Sequence, residues 1–362
     1  MRNEVLTGFV PILLLLPIIG CASIGPNVIP RDRADYLSSM ADSWKEQTLL
    51  NVVRIRYGDA PSFLEVSSVV SSYAVGGQIS AAGIINSNLT SVAPWSTQTF
   101  GAGLAYQDRP TISYTPLSGD KFTKSLLRPI PPAGIFQLVQ AGYPADFVLQ
   151  VTVRSLNGIA NHASMGGQIR APDPEFYPVI DAFRRLQVAG TVSVRLERRG
   201  SEDVGNLVLA GNRSLEVNRD LKFLMDTLHL RPSKNGEISI TFGAVQRAEN
   251  ELAVFSRSMV EILVELASGI EVPPADIATH RTSPSARLMS AENPRDQPLV
   301  RIHSGTAAPA DAFSAIHYRS TWYWIDDSDY ASKRIFTMLM IFFSLAETGV
   351  TPQVPALTIP LN

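Results

Sequence analysis

Apolar positions recur along this chain with two periods, and each predicts its own kind of element. A helix is expected from about Asp32 towards Arg56, where Leu37, Met40 and Trp44 share one stripe. Gly58-Asp59-Ala60-Pro61 closes it. Period two follows. Tyr73, Val75, Gly77, Ile79, Ala81, Gly83 and Ile85 alternate with small or polar residues, as do Phe100, Ala102, Leu104 and Tyr106. Such alternation marks strands with one apolar and one small polar face. Between them, Asn86 to Thr97 has loop composition, with Pro94 and Trp95 in it. The whole stretch 63–117 reads as one long β-hairpin, its second arm continued by Pro110 to Tyr114.

Further on, Pro131-Pro132 opens a short helix through Ile135, Leu138 and Val139, since proline is tolerated in a first turn. Phe147 to Val153 reads as a buried strand, and Glu175 to Val188 as a helix with Val179, Ile180, Phe183 and Leu186 inward. Thr191 to Glu197 alternates as a strand. A helix is expected at 219–229, then a strand at 237–243 after the Lys234-Asn235-Gly236 turn. One helix is expected over 249–268, with Gly269 as its C-cap. Residues 271–298, rich in Pro, Ser and Arg, read as a loop or linker between a body, 31–270, and a C-terminal unit, 299–362. That unit holds strands at 299–303 and 316–325 and a buried helix from Tyr330 to Ala346, in which Met338 and Met340 are packing residues. Helices and strands interleave without strict βαβ order, which predicts an α+β class with a mixed, mainly antiparallel sheet.

Composition narrows the function classes. The 362 residues carry 31 Lys+Arg against 33 Asp+Glu, a net charge of -2, and 45% are hydrophobic. A chain of that make-up builds a core, so disordered and polyelectrolyte classes are excluded. A pI near 6.2 gives no electrostatic footprint for nucleic acid. One stretch departs from the average: Val66 to Gln107 holds no charged residue. At 18% charged, about seven or eight would be expected there. The charge-free hairpin therefore has two readings. In the preferred one its apolar face covers the body. In the other, 73–85 and 98–106 supply membrane strands near the required 9–11 residues, and several copies close a barrel.

Motifs for chemistry are sparse. His162, His229, His280, His303 and His317 have no partner at helical metal-ligand spacing, and one cysteine excludes Cys-rich metal sites. His229 closes a helix; His303 and His317 sit on strands that could bring them together. His162-Ala163-Ser164-Met165-Gly166 lacks the first glycine of a nucleophile elbow. Ser118-Gly119-Asp120-Lys121 matches Ser-x-x-Lys without its companion motifs and reads as a turn. Asp326-Asp327-Ser328-Asp329 precedes a helix and reads as its N-terminal cap rather than a calcium loop. The expectation is a protein without catalysis, cofactor or metal.

The N-terminus carries more. Polar Met1 to Glu4 precede an apolar run, Val5 to Ile19, that ends at Gly20-Cys21. That is the layout of a secretory signal, broken by Pro11 and Pro17 and too short for a comfortable membrane span. Ile18-Ile19-Gly20-Cys21 resembles the lipobox of bacterial lipoproteins. The resemblance implies removal of 1–20, lipidation of Cys21, and a tether over 21–30. Two or more acyl chains anchor stably. Ala22 and Ser23, in place of an Asp after the cysteine, point by the same resemblance to the outer membrane. Asp108 to Leu117 and Trp322 to Asp327 resemble stretches of uncharacterised proteobacterial outer-membrane lipoproteins, which implies a shared fold and no activity. The expectation is thus an outer-membrane-anchored periplasmic lipoprotein, a structural or assembly part of an envelope complex. Its partners would be the membrane, through its lipid, envelope proteins, and possible further copies of itself. An oligomeric export channel built from hairpin 66–107, and an envelope hydrolase with a discontinuous site, are the alternatives.

Overall fold

The computed structural model describes residues 29–70, 73–85, 96–108, 111–165, 168–199, 202–209, 214–285 and 297–346, with backbone alone through 70–108. Helix α1 (Ile29–Arg56) begins ahead of Asp32. Its first half stands in water, so Leu37 and Met40 are exposed where the stripe placed them with Trp44. Contact with the body starts at Trp44, whose ring meets Phe336 and Phe343 edge-on, each at 6.2 Å. Beyond it Leu49, Val52 and Val53 are fully buried.

The long hairpin is present. Strands β1 (Leu64–Val70) and β2 (Tyr73–Ile85) run out, and β3 (Ser96–Asp108) and β4 (Thr111–Pro116) run back. β2 and β3 pair without a bulge from Tyr73↔Asp108 to Ile85↔Ser96. β1 and β4 pair with one irregularity between Val66 and Ser68. Neither pair joins another described sheet. The side chains that would decide between the packed and membrane readings lie outside the described residues, as do the tip at 86–95 and Cys21.

Ser118 does not enter a plain turn. It precedes a one-turn helix, α2 (Gly119–Phe122), which runs into a π-helical turn at Thr123–Leu127 that buries Leu126. Then come α3 (Pro132–Gln140) and α4 (Ala145–Thr152). The strand expected at 147–153 is therefore helix up to Thr152. A short apolar run fits a buried helix as well as a strand, and here Phe147, Val148, Leu149 and Val151 are all buried. Short strands β5 (Val153–Leu156), β6 (Ile159–Ala160), β7 (Ala163–Met165) and β8 (Gln168–Arg170) follow, then α5 (Phe176–Val188), β9 (Val192–Arg199) and β10 (Glu202–Leu209). Helix α6 (Leu215–Thr227) starts earlier than expected because Ser214 caps it, accepting from the Val217 N–H at 3.3 Å.

After β11 (Glu237–Phe242), the single helix expected at 249–268 is a strand and a helix, β12 (Glu251–Ser256) and α7 (Met259–Ser268). The break is a capping box: Ser258 Oγ accepts from the Glu261 N–H, and the Glu261 carboxylate accepts from the Ser258 N–H. A short α8 (Pro274–Ala278) precedes β13 (His303–Gly305), β14 (Ser314–Tyr318), β15 (Thr321–Ile325) and α9 (Tyr330–Ala346). The strand expected at 299–303 lies later, at β13. The one expected at 316–325 is two strands, turned at Arg319, which holds a left-handed φ of 54°.

These elements make an α+β fold. The main sheet has the order β6-β5-β12-β11-β10-β9, parallel between β11 and β12 and antiparallel elsewhere. α3 lies across β9 to β12. The sheet leaves little room beneath it: a Cβ on Gly205 would stand 3.1 Å from Ile240 Cδ1, though in ordinary contact with Ala133 Cα at 3.6 Å. The second sheet, β13-β15-β14, turns Ile316, Tyr323 and Ile325 inward. One continuous apolar core joins Leu49 of α1, Leu252 of β12, Leu263 of α7 and Phe336 of α9.

Gly269 ends α7 with an ordinary φ of −83°, so left-handed freedom is not why glycine stands there. A Cβ would lie 2.6 Å from Pro298 Cβ and 2.7 Å from the Val300 carbonyl oxygen. The returning chain packs on bare backbone at this point, and Ile270 bridges Ile302 beside it. Gly269→Ala is expected to cost about 1–3 kcal/mol by overpacking. Thermal melts of the two proteins check this, and an unchanged Tm would mean the chain at 298–300 yields freely.

Candidate functional site

Two polar assemblies lie inside this fold. The first forms where β12 gives way to α7. Arg257, 3% exposed, has no room to reach water. Its Nη1 donates to the Val151 carbonyl at 3.1 Å, near the end of α4, and its Nη2 donates to the carbonyl of His162. Glu265 of α7, 5% exposed, lies 3.9 Å from the guanidinium. It also accepts from His162 Nδ1 at 2.9 Å and from the Ser164 N–H at 2.9 Å. An ionised carboxylate is the acceptor there, so Nδ1 carries the proton. Burial favours the neutral acid, but the His162 bond, the Arg257 charge and the Ser164 N–H outweigh it and hold Glu265 below its ordinary pKa. Burial pushes Arg257 down from its ordinary value.

This arrangement collects residues of the near-motif His162 to Gly166. A histidine held by a buried glutamate has the form of a base and its orienting group. The hydroxyl of Ser164, however, is buried and makes no hydrogen bond, so the imidazole does not address it. What the knot does is join the end of α4, the start of β7 and α7 around one neutralised ion pair.

The second assembly closes the C-terminal end of α1. Gly58 supplies the left-handed turn, φ 74°, that ends the helix. Tyr57 donates to Asp276 of α8 at 2.7 Å and shares a 2.5 Å bond with Tyr323 of β15. One proton cannot serve both, and the carboxylate is the stronger acceptor, so Tyr323 donates to Tyr57. Burial pushes both phenols above their ordinary pKa, and both stay neutral. Arg281 reaches the second oxygen of Asp276 at 3.3 Å. Arg319 lies over the Tyr57 ring, 5.0 Å from its centre. Beside this cluster an open cleft of about 540 Å³ runs between Arg56-Tyr57-Gly58 and the stretch Ile277 to Pro284.

Of the residues singled out in the sequence, His303 and Asp326 come together, Nε2 to Oδ2 at 3.2 Å, and most of the others stay apart. Lys121 pairs with Glu65 at 3.5 Å, and Ser118 makes no side-chain cap bond. Asp329 is the cap of α9, as expected, accepting from Ser332 N–H at 3.1 Å and Ser332 Oγ at 2.6 Å. Asp326 instead binds Trp324 Nε1, and Asp327 binds Lys333. His303 and His317 do not meet, for β15 lies between them, and each packs on its own tryptophan, Trp324 and Trp322. His229 holds the left-handed turn after α6, with φ 52°. Met338 is buried but Met340 is exposed, a correction to its expected packing role. Glu265, Arg257 and the α1 cleft had no motif. Glu265, the second of two acids in the apolar run of α7, was their one visible trace. Among the described residues no three His, Cys, Asp or Glu side chains converge on a metal position. Comparison with protein-family models, curated proteins and solved structures finds no match for this chain.

Removing Glu265 leaves Arg257 buried without its countercharge, so Glu265→Ala is expected to cost about 3–5 kcal/mol at pH 7. Because the folded-state pKa is depressed, the contribution is complete above the ordinary value of 4.5 and is lost as pH falls through the folded pKa. Denaturant midpoints of wild type and Glu265→Gln, taken between pH 7 and pH 3, should therefore converge at low pH. A gap that does not change with pH would show that the charge of Glu265 is not what stabilises the knot.

Proposed function

We propose that this protein is a lipid-anchored outer-membrane lipoprotein whose α+β body serves as a structural or assembly component of an envelope complex. The observation that carries the reading is the apolar run Val5 to Ile19 closing on Ile18-Ile19-Gly20-Cys21. Two features of the fold are consistent with it. No described helix is long and apolar enough to cross a membrane, so among these elements the lipid would be the anchor. The exposed first half of α1 would then stand between the lipidated tether and the body, as a spacer.

A second reading, an oligomeric export channel, has one observation in its favour. The charge-free arms β2 and β3 pair in unbroken register and belong to no larger described sheet. At about 3.3 Å per residue, thirteen-residue strands exceed the 9–11 that a tilted membrane strand needs. Copies from several chains would have to close the barrel.

Intact-mass measurement of envelope-extracted protein is expected to show loss of residues 1–20 and added acyl mass on Cys21. Cys21→Ser should move the protein out of the membrane fraction. A mature chain that begins elsewhere, with an unmodified thiol, overturns the anchoring.

The hairpin readings separate on Leu104→Arg. If the hairpin packs on the body, as the first reading expects, the substitution buries an unpaired charge and the melting temperature of the detergent-free soluble form falls sharply. In a channel, arginine at a lipid-facing midplane position costs about 2–4 kcal/mol in the membrane alone. An unchanged melt with lost membrane oligomers would then displace the scaffold reading.

A further inference from the structure

The cleft at the end of α1 has an unbalanced charge at its wall. Arg56, the last residue of α1, donates from Nη2 to the Ser283 carbonyl at 3.0 Å. Its Nε is buried and has no acceptor. No described carboxylate pairs with it, and burial lowers its pKa from the ordinary value. The negative end of the α1 dipole favours a cation here but leaves it no open carbonyl of the helix. The carbonyls of Val53, Arg54 and Ile55 already accept from the N–H groups of Tyr57, Asp59 and Gly58, and the Arg56 carbonyl accepts from Thr282 Oγ1 at 2.7 Å. A half-buried cation with no described carboxylate of its own, held by one carbonyl at the wall of a cleft, is half of an anion site.

The facing wall supplies the rest. His280 holds a left-handed φ of 55°, which folds residues 281–284 back over the helix end. Its side chain and that of Arg281 both line the cleft. The carboxylate nearest them, Asp276, has its two oxygens engaged by Tyr57 and Arg281. Arg281 is thus paired with Asp276, and Arg56 is the guanidinium left without a described carboxylate. Tyr57, Ile277 and Pro284 give the cleft an apolar side. Its volume of about 540 Å³ lies within the range of small-molecule sites, well above the size of a bare ion.

We propose that this cleft binds a phosphate ester, with Arg56 and Arg281 on the phosphoryl oxygens and the organic group against Tyr57 and Pro284. Guanidinium groups match tetrahedral oxyanions through paired N–H donors, which a point-charge lysine does not. The site is independent of the lipidation and of the hairpin. The same phosphoryl chemistry is carried by phospholipid headgroups, which are diesters, and by free phosphorylated small molecules, which are monoesters.

The test is a ³¹P NMR titration of the full chain in non-ionic detergent, with glycerol 3-phosphate as the monoester probe and glycerophosphoglycerol as the diester probe. Sodium chloride at matched ionic strength is the reference, because screening alone weakens surface binding. Saturable binding of at least one probe is expected. Arg56→Gln should weaken it about tenfold or more, and Arg281→Gln by a smaller factor. Arg185→Gln, whose guanidinium binds Asp220 elsewhere, should leave it unchanged. Preference for the monoester assigns a free phosphorylated ligand; equal or tighter binding of the diester assigns a headgroup. If neither probe saturates, or if a folded Arg56→Gln binds as wild type does, the proposal fails. Should Arg56→Gln not fold, the half-exposed Arg281→Gln decides by the same criterion.

Discussion

Arg257 is the point on which the body closes. Its backbone N–H donates to the Thr152 carbonyl and its own carbonyl accepts from Ile130, while its side chain collects carbonyls at the end of α4 and at His162. A buried guanidinium is costly in isolation, and only a nearby carboxylate with its remaining lone pairs occupied makes it tolerable. Glu265 meets that requirement from a helix that is otherwise apolar on its core side. The position of α7 against β7 is fixed by that one acid, while the capping box of Ser258 and Glu261 parts β12 from α7. A helix running unbroken from 249, as hydrophobic spacing suggests, would leave the cation without the carbonyls that surround it.

The two internal polar assemblies obey different rules. Around Arg257 every strong charge has its complement, and the knot looks inward. At the end of α1, Tyr57, Tyr323 and Asp276 are satisfied among themselves, but the adjoining Arg56 is not, and it borders open space. Complete pairing is what a joint requires. Incomplete pairing beside a cavity is what a ligand site requires. The difference rests on a single side chain, and nothing in the apolar packing beneath distinguishes the two places.

The α+β class, the hairpin arms, α5, β9 and α9 could be read in the sequence because their periods of two or 3.6 run long enough to be distinct. Where a run was short, as at Phe147 to Val151, burial on all sides removed the contrast on which periodicity depends. The division at Ser258 was readable in principle, since Ser258 and Glu261 have capping-box spacing, but the apolar residues on both sides gave the appearance of one helix. The cleft was not readable at all. Arg56 and Ser283 are 227 positions apart, and the second wall lies in a Pro-, Ser- and Arg-rich segment whose composition is that of a linker. Only the tertiary fold makes that segment a wall.

The course of α1 has a mechanical consequence. The helix is a rod of about 42 Å, half of it in water and half clamped in the core from Trp44 onward. A pull on its exposed end would meet the aromatic contacts of Trp44 with α9 first, and the Tyr57–Asp276–Tyr323 cluster last. The Arg56 side of the cleft rides on that same rod, whereas the Arg281 side belongs to α8 and the chain after it. The width of the cleft is therefore tied to where α1 sits against α8 and the chain after it. The exposed end of the rod and one wall of the cleft belong to one continuous helix.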